Sequence, residues 1–149
     1  MCGIAGIFSP GGKPVESGLL IRMTNSLRHR GPDDEGYILA QTASATAQPF
    51  RGTDTISANT HPDINDRAIL GRNSNLGLGW RRLSIIDLSP TGHQPMSSVD
   101  QNLWIVFNGE IYNYIELRKE LAAKGFVFRT QSDTEAIIHA YTAWGQDCV

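Results

Sequence analysis

Cys2 follows the initiator methionine directly in Met1-Cys2-Gly3-Ile4-Ala5-Gly6-Ile7-Phe8. Loss of Met1 would leave one residue bearing both a thiol and a free α-amino group. An amine with a reference pKa of about 7.7 to 8 sits within a unit of a thiol near 8.5, so one group can relay the proton of the other at neutral pH. A nucleophile of this kind needs no distant histidine. The competing role is a small core residue at the start of a strand, where free cysteines often reside. Other residues suited to chemistry lie far along the chain. Asn108 and Gly109 can offer a side-chain amide and a backbone N–H to a developing oxyanion, or can simply form the Asn-Gly turn of a hairpin. Arg82 offers a planar fork that matches a carboxylate, and Asp133 offers a carboxylate that could meet an ammonium. An aspartate in the first turn of a helix is also favoured by the helix dipole alone, and the two roles are compatible.

Those residues belong to segments with a telling order. After Met-Cys-Gly-Ile come Arg30-Gly31-Pro32-Asp33, Arg82-Leu83-Ser84-Ile85-Ile86-Asp87, Asn108-Gly109-Glu110-Ile111-Tyr112-Asn113 and Ser132-Asp133. From Met1 to about Trp144 this series resembles the glutaminase domain of asparagine synthetases, which are class II glutamine amidotransferases of the N-terminal-nucleophile type. The resemblance implies an α+β fold: an αββα sandwich of two mostly antiparallel sheets with helices outside. It implies glutamine hydrolysis through a thioester on Cys2, with an oxyanion hole at Asn108 and Gly109. Arg82 would hold the α-carboxylate of glutamine and Asp133 its α-ammonium. Ile85, Ile86 and Glu110 enter as ligand contacts by resemblance alone. The ammonia would pass to a synthetase domain of the same polypeptide that uses ATP and Mg2+ to activate aspartate, a domain absent from these residues. A homodimer is a further implication for the full-length enzyme. Other readings are the glutaminase part of a different amidotransferase, and a non-catalytic glutamine-binding or structural domain. A peptidase fits less well, because Arg82 and Asp133 together would clamp a free amino acid.

The elements that must position these groups can be read from periodicity. Gly3 to Phe8, Tyr37 to Leu39, Leu76 to Trp80, Leu83 to Ile86, Leu103 to Phe107 and Val127 to Arg129 read as strands. A helix is expected from about Ser17 to His29, with Leu20, Met23 and Leu27 on one face, ended by Gly31-Pro32. The Arg30-Gly31-Pro32-Asp33 segment is then a structural turn. A second helix starts near Asn113 and stops at Gly125. Ser132-Asp133-Thr134-Glu135 has capping-box spacing and opens a third, with Ile137, Ala140, Tyr141 and Trp144 facing inward and Gly145 at its end. Strand alternation lets only one of Arg81 and Arg82 enter a site, which leaves Arg81 as a solvated surface charge. Residues 40–75 are polar and broken by Pro49, Gly52, Pro62 and Gly71, so a surface insertion without structure of its own is expected there.

Composition sets the outer limits. With 149 residues, 40% hydrophobic and a formal net charge of −2, the chain suits one globular domain and has no strongly basic face for nucleic acid or a membrane surface. No apolar run approaches the roughly 20 residues of a membrane span. Two cysteines make no disulfide framework, which points to a cytoplasmic setting, and the four histidines lack metal-ligand spacing, so no metal site is expected. The chain end at Val149 is expected to leave the second sheet of the sandwich incomplete, with open strand edges.

Overall fold

The computed structural model describes residues 2–56, 61–66, 73–84 and 90–148. Its main sheet is antiparallel, in the order β1-β4-β2-β3. The strands are β1 (Gly3–Phe8), β2 (Asp34–Gln41), β3 (Thr46–Phe50) and β4 (Leu76–Arg82). A two-stranded sheet joins β5 (Met96–Ser97) to β6 (Trp104–Ile105). The helices are α1 (Ser17–Ser26), α2 (Tyr114–Ala123) and α3 (Asp133–Trp144). Helix α1 packs on β1 and β4, while α3 packs on α2 and on the small sheet. The helix, sheet, sheet, helix layering expected of the chain is thus present, with the second sheet represented by β5 and β6 among the described residues.

Register decides which side chains meet. Gly3 pairs with Arg81 across β1 and β4, and Glu35 pairs with Arg81 across β2 and β4. Since side chains alternate along a strand, Arg81 shares its face with Ala5, Tyr37 and Leu39, and Arg82 shares the opposite face with Trp80. The first of these faces is covered by α1. Ala5, Tyr37, Leu39, Leu20, Phe50 and Ile64 form the core there, with Ile7, Val15, Met23 and Leu27 packed around it. Fully burying each such apolar side chain contributes about 1.5–3 kcal/mol.

The expected insertion over residues 40–75 needs correction. Its first part completes β2 and supplies β3, paired from Tyr37↔Phe50 to Gln41↔Thr46. Phe50 and Ile64, both within it, are fully buried in the core. Arg51 and Asp63 form an isolated parallel bridge that returns the chain to the sheet edge. Residues 57–60 and 67–72 lie outside the described set.

Three smaller expectations also change. Residues 127–129 are not a strand: Phe128 stacks on His139 with ring centroids 4.7 Å apart and lies under the Arg118 guanidinium. Helix α3 buries Ala136, Ile138, His139 and Ala140, whereas Tyr141 is 43% exposed, so its inner face is rotated from the expected one. Leu83 and Ser84 leave β4 as coil, and the remainder of the expected Leu83 to Ile86 strand lies outside the described residues. Gly145, at φ 62°, terminates α3 as expected.

Candidate functional site

Cys2 stands one residue before the Gly3↔Arg81 pair, which brings it beside the end of β4 and its coil extension. Its sulfur is half-buried, accepts the N–H of Leu83 at 3.4 Å and lies 3.8 Å from the Leu83 carbonyl oxygen. The coil after Arg82 is itself held from below. Asp33 donates its N–H to the Arg82 carbonyl at 3.0 Å, and its carboxylate accepts the N–H of Ser84 at 2.8 Å. The Arg30-Gly31-Pro32-Asp33 turn therefore acts as a buttress for the segment against which Cys2 rests. Gly31 is required at that turn because a Cβ there would fall 2.5 Å from the Arg81 carbonyl carbon, a contact no side chain tolerates.

The cleft in front of Cys2 has a volume of about 310 Å³, within the range of small-molecule sites. It brings together Cys2, Arg82, Asn108, Gly109, Glu110 and Asp133. Ile85 and Ile86 lie outside the described residues. Asn108, Gly109 and Glu110 are exposed, in the loop between β6 and α2. Asp133 is buried at the first position of α3, and its carboxylate accepts the N–H of Ile111 at 3.0 Å. That bond ties the start of α3 to the loop that carries Asn108. The cap beneath it follows the sequence in part: the Ser132 hydroxyl accepts the N–H of Thr134 at 3.2 Å. Glu135 does not reach back to the cap residue as a capping box requires. Its carboxylate instead accepts the N–H groups of Arg129 and Thr130 and the Thr130 hydroxyl, between 2.7 and 3.1 Å, and so pins the strand-like approach to the helix.

Arg81 is the clearest departure from expectation. It is fully buried rather than solvated. Its guanidinium meets Glu35 at 2.7 Å and Asp54 at 3.0 Å, and its Nε donates to the Gly31 carbonyl at 3.0 Å. The segment 52–56 closes over this cluster: Asp54 donates its N–H to Glu35, and the Thr55 hydroxyl donates to the Glu35 carbonyl. Tyr37 donates its hydroxyl to Glu35 at 2.9 Å, and burial together with the Glu35 charge pushes its phenol far above the ordinary range. Alternation had placed the two arginines on opposite faces correctly. What the sequence did not reveal is that the face carrying Arg81 is covered.

Sequence reasoning also passed over Trp80, Gln94, Phe107, Tyr112 and Thr134, which line the cleft with the residues above. Gln94 lies in the segment Gly92-His93-Gln94-Pro95, and a buried amide must find hydrogen-bond partners. Nearby, His93 lies 2.8 Å from the Asp34 carboxylate and packs edge-on against Trp80. Among the described residues no group of three or more His, Cys, Asp or Glu is placed to hold a metal ion, and no helix is long and apolar enough to cross a membrane.

The family model of the glutamine amidotransferase domain matches residues 1–51 and 53–149. The chain belongs to this family. Over 99% of its length it is 37% identical to asparagine synthetase [glutamine-hydrolyzing] 1 of Bacillus subtilis, of which it spans 18%. Over its whole length it is 34% identical to the putative asparagine synthetase [glutamine-hydrolyzing] 2 of Methanocaldococcus jannaschii, spanning 25% of that protein. The chain therefore corresponds to a quarter or less of these relatives. A similar fold is seen in the solved structure of glutamine phosphoribosylpyrophosphate amidotransferase from B. subtilis complexed with ADP and GMP. The two superpose with a TM-score of 0.63 at 22% identity, over 96% of this chain and 30% of the other.

Proposed function

We propose that this amidotransferase domain hydrolyses glutamine through Cys2 and supplies the ammonia to asparagine synthesis. The observation that carries the reading is the gathering of Cys2, Arg82, Asn108, Gly109 and Asp133 around one cleft from four separate stretches of chain. In the proposed reaction Met1 is removed, and the freed α-amine takes the thiol proton as the sulfur adds to the side-chain carbonyl carbon of glutamine. The oxyanion so formed is met by the Asn108 amide and the Gly109 N–H. Collapse breaks the C–N bond, and the α-amine returns its proton to the departing nitrogen, which leaves as ammonia. Water then attacks the γ-glutamyl thioester, releasing glutamate and restoring the thiol. Arg82 takes the substrate carboxylate as a charge-assisted pair and Asp133 takes its ammonium, while Glu110 lines the same cleft.

The acceptor chemistry lies in polypeptide beyond this chain. In the proposal that part is a synthetase domain using ATP and Mg2+ on aspartate, in a cytoplasmic enzyme that the resemblance further implies to be a homodimer.

The test is kinetic. Cys2→Ala in the intact polypeptide should abolish glutamine hydrolysis and leave ammonia-dependent synthesis in place. Asn108→Ala should lower kcat about 100- to 1000-fold with a smaller change in KM. Glutaminase turnover that survives Cys2→Ala, or an N-terminus found by mass spectrometry to retain Met1 in active enzyme, would overturn the mechanism.

A further inference from the structure

Gln94 is 4% exposed and lines the cleft together with the proposed reacting groups. One of its side-chain atoms faces the N–H of Phe107 at 2.5 Å, so that atom must be the acceptor Oε1. The other, Nε2, then donates to the Thr134 hydroxyl at 3.2 Å. Phe107 is held a second time, by the Trp80 indole N–H donating to its carbonyl at 3.4 Å. The Phe107 carbonyl and the Asn108 N–H belong to one rigid peptide plane, so fixing both polar groups of Phe107 fixes how Asn108 leaves it. Gly109 then lies against the Phe107 ring, close enough that a Cβ would come within 2.5 Å of it. On the other side, Thr134 directly follows Asp133.

From this arrangement we infer that Gln94 is a positioning residue for the proposed reaction, locking the Asn108-Gly109 donors in register with the Asp133 end of the substrate site. The inference rests on the function proposed above. An amide is the side chain that suits the place, because it presents an acceptor to a backbone donor and a donor to a hydroxyl from one planar group. Methionine has the same length and neither capacity. Oxyanion donors act only when aimed before the charge develops, and a misplacement of about 1 Å can cost about 100-fold in rate.

The experiment is a double-mutant cycle in the intact polypeptide, read as glutaminase kcat and KM, together with amide hydrogen exchange. Gln94→Met should lower kcat about 10- to 100-fold in the otherwise natural enzyme. In an Asn108→Ala background it should cost several-fold less than in the natural enzyme, since one of the two donors it aims is already gone. Exchange at the Phe107 amide should accelerate in Gln94→Met while the amides of β1 and β4 keep their protection, which separates local loosening from unfolding. Equal losses in both backgrounds, or unchanged protection at Phe107, would overturn the role of Gln94 alone. An enzyme whose turnover depends on neither Cys2 nor Asn108 would overturn the proposed function, and the role of Gln94 with it.

Discussion

Arg81 and Arg82 are adjacent in β4, carry the same charge, and are both nearly inaccessible to solvent, at 0% and 5% exposure, yet they sit in unlike surroundings. Arg82 lines an open cleft beside Cys2, where a substrate can reach it. Arg81 lies on the α1 face, enclosed by Glu35, Asp54 and the Gly31 carbonyl. One of its terminal nitrogens, Nη2, is buried without a hydrogen-bond partner among the described residues. The contrast shows that a pleated strand can separate two charges into two jobs within one residue step. One arginine lines the cleft. The other holds the turn and the 52–56 segment against the back of the sheet that presents the first.

Substitution should separate those jobs, and the largest effect is expected at Arg81. Arg81→Ala removes one partner of a buried ion pair and leaves Glu35 charged, desolvated and without its guanidinium, at a cost of about 3–5 kcal/mol. Thermal or denaturant unfolding would register this directly. Because Gly31 and Asp33 brace Arg82 and Ser84 from the same turn, glutaminase activity should fall with the folded fraction. A variant as stable as the natural protein would show that the cluster contributes nothing to the fold, and the comparison would fail.

Arg82→Ala should show the opposite signature. Loss of a charge-assisted pair with the substrate is expected to raise KM by about 10- to 100-fold, corresponding to about 1.5–3 kcal/mol of binding. Tm should move far less than in Arg81→Ala. Steady-state kinetics beside a melting curve for each variant sharpens the comparison, and a pure kcat defect in Arg82→Ala would remove its assignment to the substrate carboxylate.

The difference between the two arginines also marks where the sequence was readable. Alternation is local geometry, so the opposite facing of Arg81 and Arg82 could be derived from neighbouring positions alone. What covers each face depends on chain far away. Asp54 and Thr55, which enclose Arg81, come from a polar stretch that looked unstructured because Thr46-Ala47-Gln48-Pro49-Phe50 carries one large apolar residue and a proline. Both features fit an edge strand: β3 lies at the end of the sheet, where a missing N–H is tolerated, and Phe50 is the one side chain that must enter the core. The lining of the candidate cleft was legible to the extent that its parts are motif residues, Cys2, Arg82, Asn108, Gly109 and Asp133. Gln94 was not, since its partners, Phe107 and Thr134, are 13 and 40 positions away. Glu135 shows the same limit on a shorter scale. Its spacing from Ser132 suits a capping box, but the free N–H groups of Arg129 and Thr130 compete for its carboxylate and take it.

The smallest expected effect is at His61. Burial, and secondarily the nearby charge of His93, holds the His61 imidazole below its ordinary value of 6.5. In the unfolded chain the same ring protonates at its ordinary value, so across the interval just below 6.5 the unfolded state binds more protons than the folded one. Stability must then rise with pH through that interval and level off above it. His61→Gln removes the titrating group and should flatten this part of the curve, leaving the difference between variant and natural protein constant at higher pH. The change should be modest, because the ring is only half-buried. Melting temperatures measured from pH 5 to 8 on both proteins provide the check. Parallel curves would mean that His61 takes up its proton equally well folded and unfolded. In that case the influence of His93 ends at its pairing with Asp34.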